Sequence, residues 1–159
     1  QRRWRRGCHE EGRRPEEERL IMAMQVELVS PEAIVWSGEA NMVIARTLEG
    51  DAAFMEGHIP MIGALATGIV RVIADGEPER QIAVHSGFVE VTPTDGGATK
   101  VAVLSDMAEL AEDVDLSRAQ GAKDRAEEAL RADADDEVAS AALRRAEVRI
   151  LVAEAATKR

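Results

Sequence analysis

The sequence predicts an antiparallel β-sandwich or flattened barrel over residues 24–108, followed by an antiparallel α-helical hairpin over residues 109–159. Two observations carry this. Up to about residue 108, apolar residues alternate with polar ones in short runs separated by turn signals. Beyond Met107 the composition switches: residues 110–159 hold 14 Ala, one Gly (Gly121) and no Pro, as sustained helix requires.

Taken in chain order, residues 1–23 carry seven Arg and five Glu with scarcely any apolar content before Leu20. Such a run reads as a disordered basic extension or a non-native leader ahead of Met24. It lacks the apolar stretch of an export signal. Met24, Val26 and Leu28 then alternate with Gln25 and Glu27, and Met42, Ile44 and Arg46 with Val43, Ala45 and Thr47. Ile69–Ala74, Gln81–Val91 and Thr99–Leu104 are further β-branched runs. Turn signals stand at Ser37-Gly38, Glu49-Gly50-Asp51, Asp75-Gly76-Glu77-Pro78 and Pro93-Thr94-Asp95-Gly96-Gly97. Many short strands at this spacing favour a sandwich over alternating βαβ units.

In the last third, Asp115 is placed to cap a first helix with an acidic opening (Glu109, Glu112, Asp113), and Glu127 with Arg131 forms an i,i+4 pair. Asp133-Ala134-Asp135-Asp136 breaks the pattern and opens a second helix ending on Lys158-Arg159. The expected contact stripe sets Ala119, Ala122, Ala126 and Ala129 against Val138, Ala142, Ala146 and Ile150. An alanine seam lets helices approach closely but buries little area, so such a hairpin can dock or open.

Composition removes several functions. The 159 residues have a formal net charge of −10, 3% aromatic residues and no Tyr. That argues against nucleic-acid binding, which needs a basic face, and against stacking platforms for bases or sugars. The single cysteine, Cys8, cannot close an internal disulfide, and no Cys/His cluster has zinc-ligand spacing. The longest apolar stretches, such as Met61–Val70, are far shorter than a membrane span.

No nucleophile elbow, phosphate loop or HExxH motif is present. His85, within an apolar run, reads as a hydrogen-bonded structural residue, whereas His58, in Gly57-His58-Ile59-Pro60, reads as an exposed residue positioned by a loop. A His58/Asp51 acid–base pair and a free-standing acidic adaptor both remain open on residues alone. Asp115, Arg118, Arg125, Arg145 and Arg149 converge if the helices pack antiparallel, and guanidinium groups on adjacent helices suit a phosphate. The alternative for them is a solvated face laced with ion pairs.

Met24-Gln-Val-Glu-Leu-Val-Ser-Pro-Glu, Ser37-Gly38-Glu39-Ala40, Glu49-Gly50-Asp51 and Gly57-His58-Ile59-Pro60, in this order and spacing, resemble the epsilon subunit of bacterial F-type ATP synthases. His85-Ser86-Gly87-Phe88-Val89-Glu90-Val91 resembles that family's glycine-rich late strand, and Val101–Asp106 its last strand before the helices. The resemblance spans residues 24–159. It implies a ten-stranded sandwich plus hairpin in the rotary central stalk, without bond chemistry of its own and with no required cofactor. It further implies that the sandwich binds the gamma subunit and the c-ring, with Asp51 and His58 at c-ring-facing positions, and that the hairpin reaches the alpha/beta catalytic head to block ATP hydrolysis. Membrane contact would then come only through the complex, on the cytoplasmic face of the bacterial cell membrane.

Val114-Asp115-Leu116-Ser117-Arg118-Ala119 is similar to the family's ATP-binding motif, with Val where Ile or Leu is usual. Arg125, Arg145 and Arg149 match further nucleotide-contacting positions, which implies a regulatory ATP. Ser86 stands where the family commonly has Gly, and Met55-Glu56 where a hydrophobic residue and Pro are frequent.

Overall fold

The computed structural model describes residues 23–157. The expectations for the basic segment, for Cys8 and for a helix end on Lys158-Arg159 therefore lie outside the described residues. Ten strands come first: β1 (Met24–Val29), β2 (Ile34–Ala40), β3 (Met42–Thr47), β4 (Gly50–Met55), β5 (Met61–Leu65), β6 (Gly68–Ile73), β7 (Arg80–Val84), β8 (Gly87–Pro93), β9 (Thr99–Leu104) and β10 (Ala108–Leu110). A 3-10 turn at Ala111–Asp113 leads to α1 (Leu116–Ala132) and α2 (Glu137–Thr157).

The strands form two layers. One runs β10-β7-β6-β3 with β4 on β3; the other runs β5-β8-β9-β1-β2. They join through one bridge between Thr47 and Leu65, and β10 lies beside β2 at the opposite seam, so the sheet nearly closes. Every pairing is antiparallel except β1 with β9, which run parallel. The period-2 pattern explains the core: Met24, Val26 and Leu28 point inward while Gln25 is exposed, and Val43, Ala45 and Thr47 point inward from β3. Phe54, Ile82 and the valines of β8 and β9 fill the space between layers.

Two expectations about strand boundaries are corrected. Ser37-Gly38 is not a turn but the middle of β2, paired with Glu27 and Val26. A Cβ on Gly38 would lie 2.8 Å from the Trp36 indole, so the glycine makes room for a neighbouring ring on the same face. The run Gln81–Val91 is two strands, broken after Val84. There the chain leaves one layer for the other: β7 pairs with β6 and β10, β8 with β5 and β9. Gly87 makes the corner with φ 126°, and a Cβ there would stand 2.0 Å from the Leu104 carbonyl oxygen. Ser86 also has positive φ (66°), and its hydroxyl donates to Asp106 Oδ2 at 2.8 Å, a partner that a glycine at this position could not supply.

The helices pack against each other, and α2 lies on β6, β7 and the 3-10 turn. Asp115 caps α1, accepting from Arg118 N at 2.9 Å, and Asp136 accepts from Ala139 N at 2.9 Å. The acids expected at the opening of α1 fall before it, Glu109 in β10 and Glu112 and Asp113 in the 3-10 turn. The seam buries Ala119 and Ala126 of α1 with Ala139 and Ala146 of α2. Val138 is 76% exposed and lies off the stripe, its place taken by Ala139 one position on; a one-residue offset on a helix rotates the side chain by about 100°.

Candidate functional site: strand ends, sheet face and hairpin junction

Asp51 is the second residue of β4, just past the tight turn at Leu48-Glu49, where Arg46 Nη1 holds its carboxylate at 3.0 Å. His58 lies beyond the other end of that strand. Four strand steps, roughly 13 Å, separate Asp51 from Met55 alone, so the two residues do not share one loop and cannot exchange a proton directly. The His58 segment is pinned: Gly57 N donates to Thr99 Oγ1 at 2.9 Å, and Thr99 N donates to the Glu56 carboxylate at 3.1 Å. The ring of His58 meets Phe54 edge-on at 5.2 Å, with Nδ1 2.9 Å from its neighbour's carbonyl oxygen at Ile59. Glu56, at a position where the sequence departs from the usual pattern, thus supplies the carboxylate that anchors the loop to β9.

A surface that the sequence does not single out crosses the outer face of the second layer. Register aligns Ala64, Phe88, Leu104, Val29 and Ile34 across β5, β8, β9, β1 and β2. Phe88 is 55% exposed and Ile34 63%, and Ile62 on the same face of β5 is 70% exposed. The parity of Val89 and Val91, both buried, is the signal that puts Phe88 outside. Contiguous exposed apolar area of this kind marks an interaction face.

The five hairpin residues fall into three different settings. Arg118 and Arg125 project from α1 and are exposed, and among the described residues neither they nor Arg145 pair with a carboxylate. Asp115 is engaged as the helix cap. Arg149 turns instead toward the sheet, where its Nε donates to Glu109 Oε2 in β10 and its Nη2 lies 3.0 Å from Met107 Sδ. Lys123 of α1 lies 3.8 Å from Glu127 and 3.9 Å from Glu147 of α2, tying the two helices loosely. Beside the junction, Arg80, Gln81, Glu112 and Val152 border a cleft of about 180 Å³.

Under Arg149 sits His85, 4% exposed, immediately after β7. The hydrogen bonding expected of this histidine is weak: among the described residues neither ring nitrogen meets a well-aligned partner, and Nε2 reaches only toward Glu109. Nε2 stands 3.5 Å from Glu109 Oε2, within ion-pair reach but out of hydrogen-bond alignment. Burial lowers its pKa from the ordinary histidine value, and the Arg149 charge lowers it further against the opposing pull of Glu109. His85 and Glu109 were visible in the sequence as residues; their meeting with Arg149 depends on the corner at Ser86-Gly87 and on β10.

Residues 23–111 match the family described as ATP synthase, Delta/Epsilon chain, beta-sandwich domain. The chain belongs to the ATP synthase epsilon-chain family. It is 41% identical over 135 residues to the ATP synthase epsilon chain of Shouchella clausii, covering 84% of this chain and 97% of that one. Identity to the epsilon chain of Thermobifida fusca is 45% over 112 residues, 69% of this chain and 79% of the relative. A chain of the Euglena gracilis mitochondrial ATP synthase, solved in an OSCP/F1/c-ring assembly, shares the fold with TM-score 0.59 at 20% identity, covering 99% of this chain and 91% of that one. Among the described residues, no helix is long and apolar enough to cross a membrane, and no cluster of His, Cys, Asp and Glu could hold a metal ion.

Proposed function

We propose that this epsilon chain works in the rotary central stalk of an F-type ATP synthase, performs no bond chemistry, and restrains ATP hydrolysis through its hairpin. The observation that supports it best is the apolar row across five strands ending near Ile34 and Ile62. That face takes the gamma subunit, while the turn ends at Asp51 and His58 point two separate contacts toward the c-ring. The chain sits on the cytoplasmic face of the bacterial membrane, held there by the complex.

The hairpin is the regulatory part. Docked, as here, α2 covers the sheet; released, its helices reach the alpha/beta head. Arg118, Arg125 and Arg145 are three guanidinium groups without carboxylate partners among the described residues, in a chain of net charge −10, a distribution suited to ATP phosphates. Arg149 and Asp115 join that site only by exchanging their present contacts. A ligand that binds the docked form alone stabilises it by about 2.7 kcal/mol at a hundredfold excess over Kd, so abundant ATP would relieve inhibition.

The test combines gamma binding with ATPase activity of the assembled head as the chain is titrated in. Phe88→Asp should weaken gamma binding at least about tenfold, by placing a charge in the apolar row, and removal of the hairpin should abolish inhibition while preserving binding. Undiminished binding by Phe88→Asp overturns the assignment of that face. ATP binding that survives joint replacement of Arg118 and Arg125 by Ala overturns the nucleotide site.

A further inference from the structure

We propose that His85, Glu109 and Arg149 form an acid-sensitive latch that holds α2 on the sheet and releases the hairpin when His85 takes up a proton. The latch deepens the regulatory reading above and rests on the hairpin leaving the sheet. It stands on position: the three residues come from the end of β7, from β10 and from α2, so they bridge the junction that must part. Glu109 Oε2 is shared, accepting from Arg149 Nε and facing His85 Nε2 at 3.5 Å. The contact of this buried ring with Glu109 is long, so the docked state holds His85 by position more than by a strong hydrogen bond.

Each charge around the ring has a definite effect. Arg149 and Arg145 of α2 repel a proton on His85; Glu109 of β10 attracts one. Asp106, in the connection before β10, is held by the Ser86 hydroxyl at 2.8 Å. A protonated His85 competes with Arg149 for the Glu109 carboxylate and places a third cation beside the two arginines. Undocking removes α2, and with it the two repelling charges and part of the burial, while Glu109 remains.

The sign follows from which state binds the proton better. Burial and the charges of Arg149 and Arg145 lower the affinity of His85 for a proton, and docking supplies both arginines and part of that burial, so the released state carries more protons as the solution is acidified. Docking is therefore at full strength above the ordinary histidine pKa of about 6.5 and weakens as pH falls through it, by up to about tenfold per pH unit. Acidification thus shifts the hairpin toward the form that reaches the catalytic head.

The test uses the full chain with Cys8→Ser and a donor–acceptor pair on Asp95→Cys and Asp135→Cys, which report the distance from the β8–β9 turn to the turn between the helices. Between pH 7.5 and 5.5 the ratio of open to docked forms should rise about tenfold in this chain. In His85→Gln it should change less than about twofold. The His85 ring signal, followed by NMR in the unlabelled full chain, should titrate lower than in Arg149→Ala, a readout that stands if His85→Gln fails to fold. Equal pH response with and without His85, a hairpin that stays closed at pH 5.5, or a His85 titration unmoved by Arg149→Ala overturns the latch. An acid-opened hairpin that leaves ATPase activity of the assembled head unchanged leaves the latch standing and sinks the inhibitory reading instead.

Discussion

The sandwich and the hairpin are held together by different forces. Between the β layers, large side chains such as Phe54, Met24, Leu28 and Ile82 are removed from solvent almost completely. The hairpin buries Ala119, Ala126, Ala139, Ala146, Val152 and Ala153, of which only Val152 is larger than alanine. Burial stabilises at about 25 cal/mol per Å², so the sandwich rests on apolar volume and the hairpin on caps, a thin seam and the Arg149–Glu109 pair. Apolar burial depends little on pH or on ligands, whereas ion pairs and caps depend on both. The division places adjustable contacts in the moving part and the fixed core in the part that docks on other subunits.

The largest expected effect lies in the sandwich. Phe54→Ala should cost about 3–5 kcal/mol in urea unfolding, lowering the stability of sandwich and hairpin signals together, since α2 docks on the sheet. Ala146→Leu comes next. Ala146 has no exposed surface, so a larger side chain forces the helices apart at a cost of about 1–3 kcal/mol, read as faster amide exchange in α1 and α2 with the strands unchanged. Arg149→Ala should weaken hairpin docking by about 1–2 kcal/mol, between a solvent-screened ion pair and a buried hydrogen bond to a charged group because the pair is partly exposed, again without moving the sandwich transition. The smallest effect is Asp115→Ala, at about 1 kcal/mol for a lost cap, confined to exchange in the first turn of α1. If Arg149→Ala destabilised the strands as much as the helices, the two regions would be one cooperative unit and the contrast would fail.

Much of this was legible in the chain. The alternation of Met24, Val26 and Leu28 gives β1 its inward face, and the proline-free alanine segment gives both helices, because those patterns are local. Asp115 as a cap and Glu127–Arg131, 3.6 Å apart, are likewise local. What escaped depends on distant pairing. Ser37-Gly38 looks like a turn until Trp36 is seen lying over the glycine, and the break at His85–Gly87 hides inside a continuous β-branched run. The parallel pairing of β1 with β9 has no local signature at all. At the site, the residue types were readable, but the partners were not: Arg149 was grouped with the other arginines, and only the placement of β10 beside β7 brings Glu109 to it.

Native-state hydrogen exchange on the full chain at pH 7.5 tests the division most directly, because it reads the opening free energy of each element in one experiment. The account predicts that α1 and α2 exchange through an opening that leaves β1, β8 and β9 protected, and that this opening grows in Arg149→Ala. Helices and strands exchanging with one common free energy, unchanged by Arg149→Ala, would contradict it.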